Sequence, residues 1–278
     1  MTSGAPAPHE WNTAFTWRGA TAGRSVVTDA QADQWDRDGY FLLEGALERD
    51  ELQSVRAAID PFEERTTAWL RDQGGSALIA DAEAITFTTH LVTRSDVCRA
   101  FAGGPVFARL CADLVGPDVR LYWDQAVYKK PEPEREFPWH QDNGYAFVEP
   151  QQYLTCWVPL VDATVRNGCP WVVPGLHLEG TLRHWWTPVG FQCVEEPEGA
   201  VPVEAAAGDV VVFSSLTPHR TGPNTSDAVR KAYILQYAPD GAVALRGEEG
   251  RPEPQDDPAR QFPVVTGGAP AMGRDSGA

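Results

Sequence analysis

The sequence predicts a mainly β protein, a β-barrel or β-sandwich carrying a layer of helices in one domain. Three observations predict it. Apolar residues recur at helical spacing only as far as Gly116. From Asp118 onward, short runs rich in β-branched and aromatic residues are broken by Pro, Gly and Asn. The 278 residues, 42% of them hydrophobic, suffice for one large closed core, and no repeat or low-complexity linker divides the interior. The domain is expected over residues 26–245, between a loose tail at 1–25 and a polar, Pro- and Gly-rich tail at 246–278.

In chain order, "TDAQADQWDRDG" (28–39) opens on a capping threonine and closes on Gly39, which predicts a short helix. "YFLLEGAL" follows as a buried strand. Residues 48–70 place Leu52, Val55 and Ile59 at helical spacing, for one or two amphipathic helices. "PVFARLCADLVG" sets Val106, Leu110 and Leu114 on one stripe before a glycine stop. The strand candidates are "DVRLYWDQAVYKKP", "YLTCWVPLVDA", "PWVVPG", "AVPVEA", "GDVVVFSSL" and "RKAYILQYAPDG". "VRNGCPW" predicts a hairpin turn, because Asn-Gly tolerates positive φ.

Bulk properties exclude several classes. A net charge of −16, with no basic run to offset it, repels nucleic acid and anionic lipid. No stretch reaches the ~20 apolar residues of a membrane helix. The N-terminus lacks the basic-then-apolar pattern of a secretory signal. Five cysteines (Cys98, Cys111, Cys156, Cys169 and Cys193) include no CxxC pair, so buried free thiols in a reducing cytoplasm are expected. Oligomeric state is not predicted.

"PWHQDNGY" (138–145) holds two metal-ligand types, His140 and Asp142, which a strand would aim at one face. A third ligand is needed. His177 reads as a turn residue, His184 as a packing or substrate-facing residue beside Trp185 and Trp186, and His90 as a satisfied interior histidine. His219 differs. "GDVVVFSSLTPH" reads as a strand delivering it, and "RKAYILQYA" as a returning antiparallel strand that brings Arg230 near it. A buried arginine needs an anion, and a carboxylate suits its fork. His140, Asp142 and His219 form a two-histidine, one-carboxylate set of the kind that holds iron(II) with open positions.

"WHQDNGY", "CWVPLVDATVRNGCPWVVPGLH" and "GDVVVFSSLTPHRTGPNTSDAVRKAYILQYAP" resemble, in order, the motifs of the phytanoyl-CoA dioxygenase family, over residues 30–240. These are iron(II)- and 2-oxoglutarate-dependent oxygenases on a double-stranded β-helix, a jelly-roll or cupin-like barrel. The resemblance implies iron on His140, Asp142 and His219, with 2-oxoglutarate and dioxygen as cosubstrates and succinate and carbon dioxide as products. It implies that Arg230 pairs with the distal carboxylate of 2-oxoglutarate and that the Thr221 hydroxyl helps hold it. Trp157 matches an aromatic beside the cosubstrate, and Gln125 lies on a strand that often supplies it an amide. A lysine that some relatives use upstream has no clear counterpart. Asp142 stands where related halogenases carry a small residue, so the outcome expected is hydroxylation, desaturation or ring formation.

The partner is expected to be a small organic molecule. The lysine-poor chain offers no cationic cluster for the phosphates of an acyl-CoA, while several tryptophans near the motifs permit an apolar or ring-bearing substrate. Residues 177–199 are too long for an ordinary hairpin loop and are read either as a lid or as a strand packed on the barrel. Two rival readings stand: a cupin-like metalloenzyme without 2-oxoglutarate, and an inactive relative serving as a binding module.

Overall fold

A computed structural model describes residues 6–271; residues 1–5 and 272–278, the outer ends of both expected tails, lie outside the described residues. Among the described residues four α-helices form the expected layer. In α1 (Asp29–Asp38) Thr28 caps the start in a reciprocal box with Gln31, and Gly39, at φ 77°, ends it. α2 (Arg49–Asp72) is one helix, running through Pro61. Its buried stripe of Leu52, Val55 and Ile59 continues to Thr67 and Leu70, so packing outweighs the hydrogen bond that proline removes. α3 (Asp96–Ala102) is capped by Ser95, and α4 (Pro105–Leu114) carries proline at its start. On α4 Phe107, Leu110 and Leu114 are buried, and Val106 of the expected stripe is only partly so.

The strands are β1 (Tyr40–Leu43), β2 (Ser76–Ala77), β3 (Ala80–Asp81), β4 (Ile85–Thr89), β5 (Val119–Lys129), β6 (Phe137–His140), β7 (Val148–Glu149), β8 (Leu154–Pro159), β9 (Pro170–Val172), β10 (Trp185–Thr187), β11 (Gly190–Gln192), β12 (Val201–Pro202), β13 (Val210–Ser214), β14 (His219–Thr221), β15 (Arg230–Pro239), β16 (Val243–Arg246), β17 (Arg251–Pro254), β18 (Pro263–Thr266) and β19 (Ala269–Pro270). The larger sheet runs β1-β13-β8-β15-β5-β4-β3-β2, and the smaller one β12-β9-β14-β6, with antiparallel pairing throughout. They face each other as a jelly roll. Trp157, Val211, Phe213 and Ile234 from the larger sheet meet Phe137 and Val172 from the smaller one in the interior. The opposite face of the larger sheet, with Tyr233, Leu235 and Cys156, packs on the helices through Val55, Ile59 and Leu110. A sheet covered on both faces needs unbroken apolar runs, and "LTCWVP" and "VVVFS" are buried at every position.

Three local expectations change. β1 is an edge strand with only Phe41 buried. "VRNGCPW" is a crossover between sheets rather than a hairpin: a short 3-10 turn over Val165–Asn167 links β8 to β9, and only Gly168 of the Asn-Gly pair takes positive φ, at 84°. β13 and β15 do not pair with each other either. β13 lies between β1 and β8, and His219 starts the separate β14 of the other sheet.

The tail expectations meet ordered chain. His9 donates its backbone N–H to Thr181, Arg183 donates to Ala7, and Trp17 packs on Trp35 and His177. At the other end β18 adds to β5 and buries Val264 and Val265.

Candidate metal and cosubstrate site

The pairing of β6 with β14 places His140 directly opposite His219, with ring centroids 4.2 Å apart. Asp142 is not on the strand with His140, as the sequence suggested; it opens a 3-10 turn over Asp142–Gly144. Gln141 between them is still extended (φ −102°, ψ 145°), so the side-chain alternation of a strand persists for one more residue. Asp142 thereby turns to the same side as His140. The candidate donor atoms of His140, Asp142 and His219 all lie within 4.8 Å of one another.

Each donor is prepared by its neighbours. Nδ1 of His140 lies 2.8 Å from the Pro138 carbonyl, and Nδ1 of His219 lies 3.0 Å from that of Thr217. A carbonyl can only accept, so each ring carries its proton on Nδ1 and presents a bare Nε2. Burial, then the neighbouring His219, holds the His140 pKa well below its usual value, which keeps the ring a neutral ligand. Asp142 Oδ2 accepts from Thr155 Oγ1 at 2.5 Å, leaving Oδ1 on the His219 side, 3.8 Å from Nε2.

Gln141 is fully buried on the side away from these donors. Its amide donates to the Leu216 carbonyl (2.6 Å) and the Gly180 carbonyl (2.9 Å), and accepts from the Leu182 N–H (2.7 Å). One side chain thus ties the His140–Asp142 segment to the approach to His219. The Gln141 backbone N–H donates to His184 Nε2 at 2.9 Å. His184 therefore packs against this segment, and burial lowers its pKa to about 4. Gly144 lies so close to the His184 ring that a Cβ there would be 2.1 Å from it.

A second cluster closes the interior at one end. Arg230 is completely buried, its Nη1 donates to the Val127 carbonyl at 3.1 Å, and its Cζ lies 5.3 Å from the Trp157 ring centroid. Among the described residues Nε and Nη2 have no hydrogen-bond partner. Burial lowers its pKa only to about 10, so it stays charged. Directly opposite in the ladder is Lys129, 1% exposed, a residue not singled out from sequence. Its Nζ donates to the Thr221 carbonyl (3.2 Å) and the Gly222 carbonyl, and lies 3.5 Å from Thr221 Oγ1. Thr221, Arg230 and Trp157 thus belong to one neighbourhood. Gln125 shares a cross-strand row with Ile234 and Trp157, so its side chain is on the interior face, and among the described residues its amide makes no hydrogen bond.

His177 does lie in a turn, the 3-10 segment Leu176–Glu179, but it is fully buried, its ring nitrogens have no hydrogen-bond partner among the described residues, and burial lowers its pKa to about 4. His90 is half-buried rather than interior, sits at φ 55°, and packs on Trp123 at 4.4 Å. Of residues 177–199, the first part is anchored, with His177, Thr181 and Leu182 buried. The β10–β11 hairpin projects beyond it and leaves Trp186 55% exposed.

A jelly roll with two histidines and one carboxylate converging inside it, beside a buried and unpaired arginine, defines a metal-dependent oxygenase of the 2-oxoglutarate class. The model of the phytanoyl-CoA dioxygenase family matches residues 35–232, and the chain belongs to that family. It is an iron(II)- and 2-oxoglutarate-dependent oxygenase. The methylphosphonate hydroxylase of Gimesia maris is 29% identical over 88% of this chain and 92% of its own. The phytanoyl-CoA dioxygenase of Arabidopsis thaliana is 30% identical over 75% and 88%. The crystal structure of EctD from S. alaskensis with 2-oxoglutarate and 5-hydroxyectoine superposes with a TM-score of 0.67 at 23% identity, over 89% of both chains, and shares the fold. Among the described residues no helix is long and apolar enough to cross a membrane.

Proposed function

We propose that His140, Asp142 and His219 hold the iron, that Arg230 with Thr221 receives the distal carboxylate of 2-oxoglutarate, and that the enzyme hydroxylates a small organic molecule without phosphate groups. The observation that carries this reading is the Arg230 guanidinium: buried, charged, and with two N–H-bearing nitrogens unpartnered among the described residues. An uncompensated buried cation is costly, and a carboxylate accepting from both nitrogens relieves that cost. This favours the present reading over a cupin-like metalloenzyme that never binds a dicarboxylate. The intact three-donor set opposes a binding module without catalysis.

Bound iron, 2-oxoglutarate and dioxygen supply the oxidising chemistry, which ends in succinate, carbon dioxide and an oxidised C–H bond. The chain's share is positional. His140 and His219, each with Nδ1 on a backbone carbonyl, turn Nε2 to the metal position, and Asp142 brings a carboxylate to it. Trp157 packs beside Arg230, Gln125 offers a free amide, and Phe137, Phe213 and Val172 keep water from the interior.

Relatives named for a phosphonate and for an acyl-CoA indicate shared chemistry without a shared substrate. All three lysines here are engaged: Lys129 is buried, Lys130 donates to Thr67 and Ala82, and Lys231 pairs with Asp60. None is free for the phosphates of coenzyme A. Five buried free thiols fit a cytoplasmic enzyme, and the acidic chain fits one without nucleic-acid partners. The test is anaerobic titration of iron(II) and then 2-oxoglutarate, followed by a screen of metabolites for stimulated succinate release. Asp142→Ala should abolish iron-dependent turnover in a folded protein. Retained wild-type iron affinity and activity in that variant would refute the ligand assignment.

A further inference from the structure

We propose that Gln236 is a specificity-determining residue, and that with Trp123 it receives a neutral, ring-bearing substrate carrying a carboxamide or lactam group. The inference rests on the iron and cosubstrate assignments above and names the substrate class that the same site would take.

Strand register puts Gln236 beside the metal position. On β15 Tyr233, Leu235 and Tyr237 face the helices, whereas Ala232 and Ile234 face the interior, so alternation sends Gln236 inward. Its ladder partners are Trp123 on β5 and Thr155 on β8, and Thr155 is paired in turn with Phe213 on β13. Thr155 donates to Asp142, and the Phe213 ring lies 4.5 Å from that of His219. One cross-strand row thus touches two candidate ligands and continues through Gln236 to Trp123. Arg230 is six residues away on the same strand, about 20 Å at the rise of a β-strand. A five-carbon diacid seated on Arg230 spans roughly less than half of that distance, which leaves Gln236 to the substrate.

The side chain itself calls for a partner. Gln236 is 6% exposed, and among the described residues its amide makes no hydrogen bond. A buried amide without partners is costly. It offers one acceptor and two donors, which a carboxamide or lactam meets with its own N–H and carbonyl as a reciprocal pair. A carboxylate has no donor and an ammonium no acceptor, so each would leave half of that pair unmet.

Beside the amide the sheet is reshaped. Gln236 opposes Trp123 but Tyr237 opposes Leu121, so Tyr122 is an extra residue, a bulge in β5. Bulges re-aim side chains, and here Tyr122 and Trp123 pack in one cluster with Val148 and Tyr153. His90 braces the indole, its ring packed edge to face at 4.4 Å. It does so at φ 55°, a conformation that residues other than glycine seldom adopt. Asp124 holds that turn: its carbonyl accepts from the His90 N–H, and its Oδ2 accepts from the N–H groups of Leu91 and Val92. A strained residue that fixes an indole beside an unpaired amide fits a flat wall for a ring. Arg246 and Arg260, the cations toward Tyr122, are paired with Glu253 and Asp257, so the wall is neutral.

The experiment is equilibrium dialysis of three probes, benzamide, acetophenone and benzoate, against the anaerobic protein loaded with iron(II) and 2-oxoglutarate. Acetophenone matches benzamide in shape but lacks its N–H donors, and benzoate adds a charge. The wild type should bind benzamide about tenfold more tightly than either of the others. Gln236→Leu should bind benzamide and acetophenone alike and keep wild-type affinity for iron(II) and 2-oxoglutarate. It should also melt no lower than the wild type, because the change removes a buried unpaired amide. A glutamine that only packs the interior would cost stability when replaced and leave the ranking of probes as it was. No preference for benzamide in the wild type, or a preference that survives in Gln236→Leu, overturns the inference. The wild-type ranking decides even if the variant fails to fold. A wild type that holds no iron(II) or no 2-oxoglutarate would instead overturn the assignments on which the inference rests.

Discussion

Thr155 Oγ1 donates to Oδ2 of Asp142 across 2.5 Å, from β8 of the larger sheet to the turn that follows β6 of the smaller one. The bond joins the two sheets at the candidate metal site and gives the two carboxylate oxygens different work. Oδ2 is held by the hydroxyl, and Oδ1 is left on the side of His219. A carboxylate positioned in this way loses little freedom when it meets a cation.

Thr155→Val keeps the shape and removes the donor. We expect iron(II) affinity to fall by about 10- to 100-fold, the range for removing such an orienting partner, with little change in melting temperature. Competitive metal titration measures it. Unchanged affinity would show that the turn alone orients Asp142.

Arg230→Ala is expected to weaken 2-oxoglutarate binding by about 2–4 kcal/mol, the cost of losing a buried charged partner. Arg230→Lys should rescue little, because an ammonium cannot copy the two-nitrogen fork. Calorimetry on the anaerobic iron(II) protein decides. Wild-type affinity in Arg230→Ala would return the cupin-like reading.

How far the site could be read ahead depended on whether each relation is local along the chain. His140 and Asp142 are separated by one extended residue, so their shared side was legible even though the strand ends between them. Arg230 was expected near His219 from its spacing, but the hairpin drawn between them does not exist: they belong to opposite sheets, linked through Lys129, the ladder partner of Arg230, which donates to Thr221 two residues past His219. Thr155, Gln141 and Lys129 left no local signal. Their partners lie in other strands and loops, and only strand register brings them together. "KK" at 129–130 shows the limit: alternation sends Lys129 inward, while Lys130 turns toward Thr67 on α2.

Gly144 invites a related test. Its φ is not in the left-handed region, so alanine meets no backbone strain, yet the added Cβ would fall 2.1 Å from the His184 ring. Gly144→Ala must displace His184 and with it the hydrogen bond from Gln141, between two candidate ligands. We expect about 1–3 kcal/mol of destabilisation from the overpacking, together with weaker iron binding. Denaturant unfolding and metal titration check the two effects. If neither changes, His184 moves freely and does not support the site.

The structure confines any moving cover over the site to the β10–β11 hairpin. Residues 177–184 are tied down: Asn12 donates to the carbonyls of Glu179 and Thr181, Gln141 holds Gly180 and Leu182, and the chain near Pro8 pairs with Leu182. Cys193 and Val194 are buried at the other end. Between them the hairpin pairs Trp185 with Gln192 and Trp186 with Phe191, and rests on Tyr145 through Phe191 at 5.3 Å. Tyr145 in turn lies 5.4 Å from the His140 ring, so this aromatic run leads from a candidate ligand toward solvent at Trp186. Motion is cheapest where buried contacts are fewest. We expect limited proteolysis of the apo protein to cut within 187–190 and not within 177–184, and iron with 2-oxoglutarate and substrate to protect that turn. Trp186→Ala should change substrate preference and leave the melting temperature nearly unchanged, because the side chain is more than half exposed. A cut within 177–184, or a Trp186→Ala protein that loses stability while keeping its preference, would make the hairpin a packing element instead of a cover.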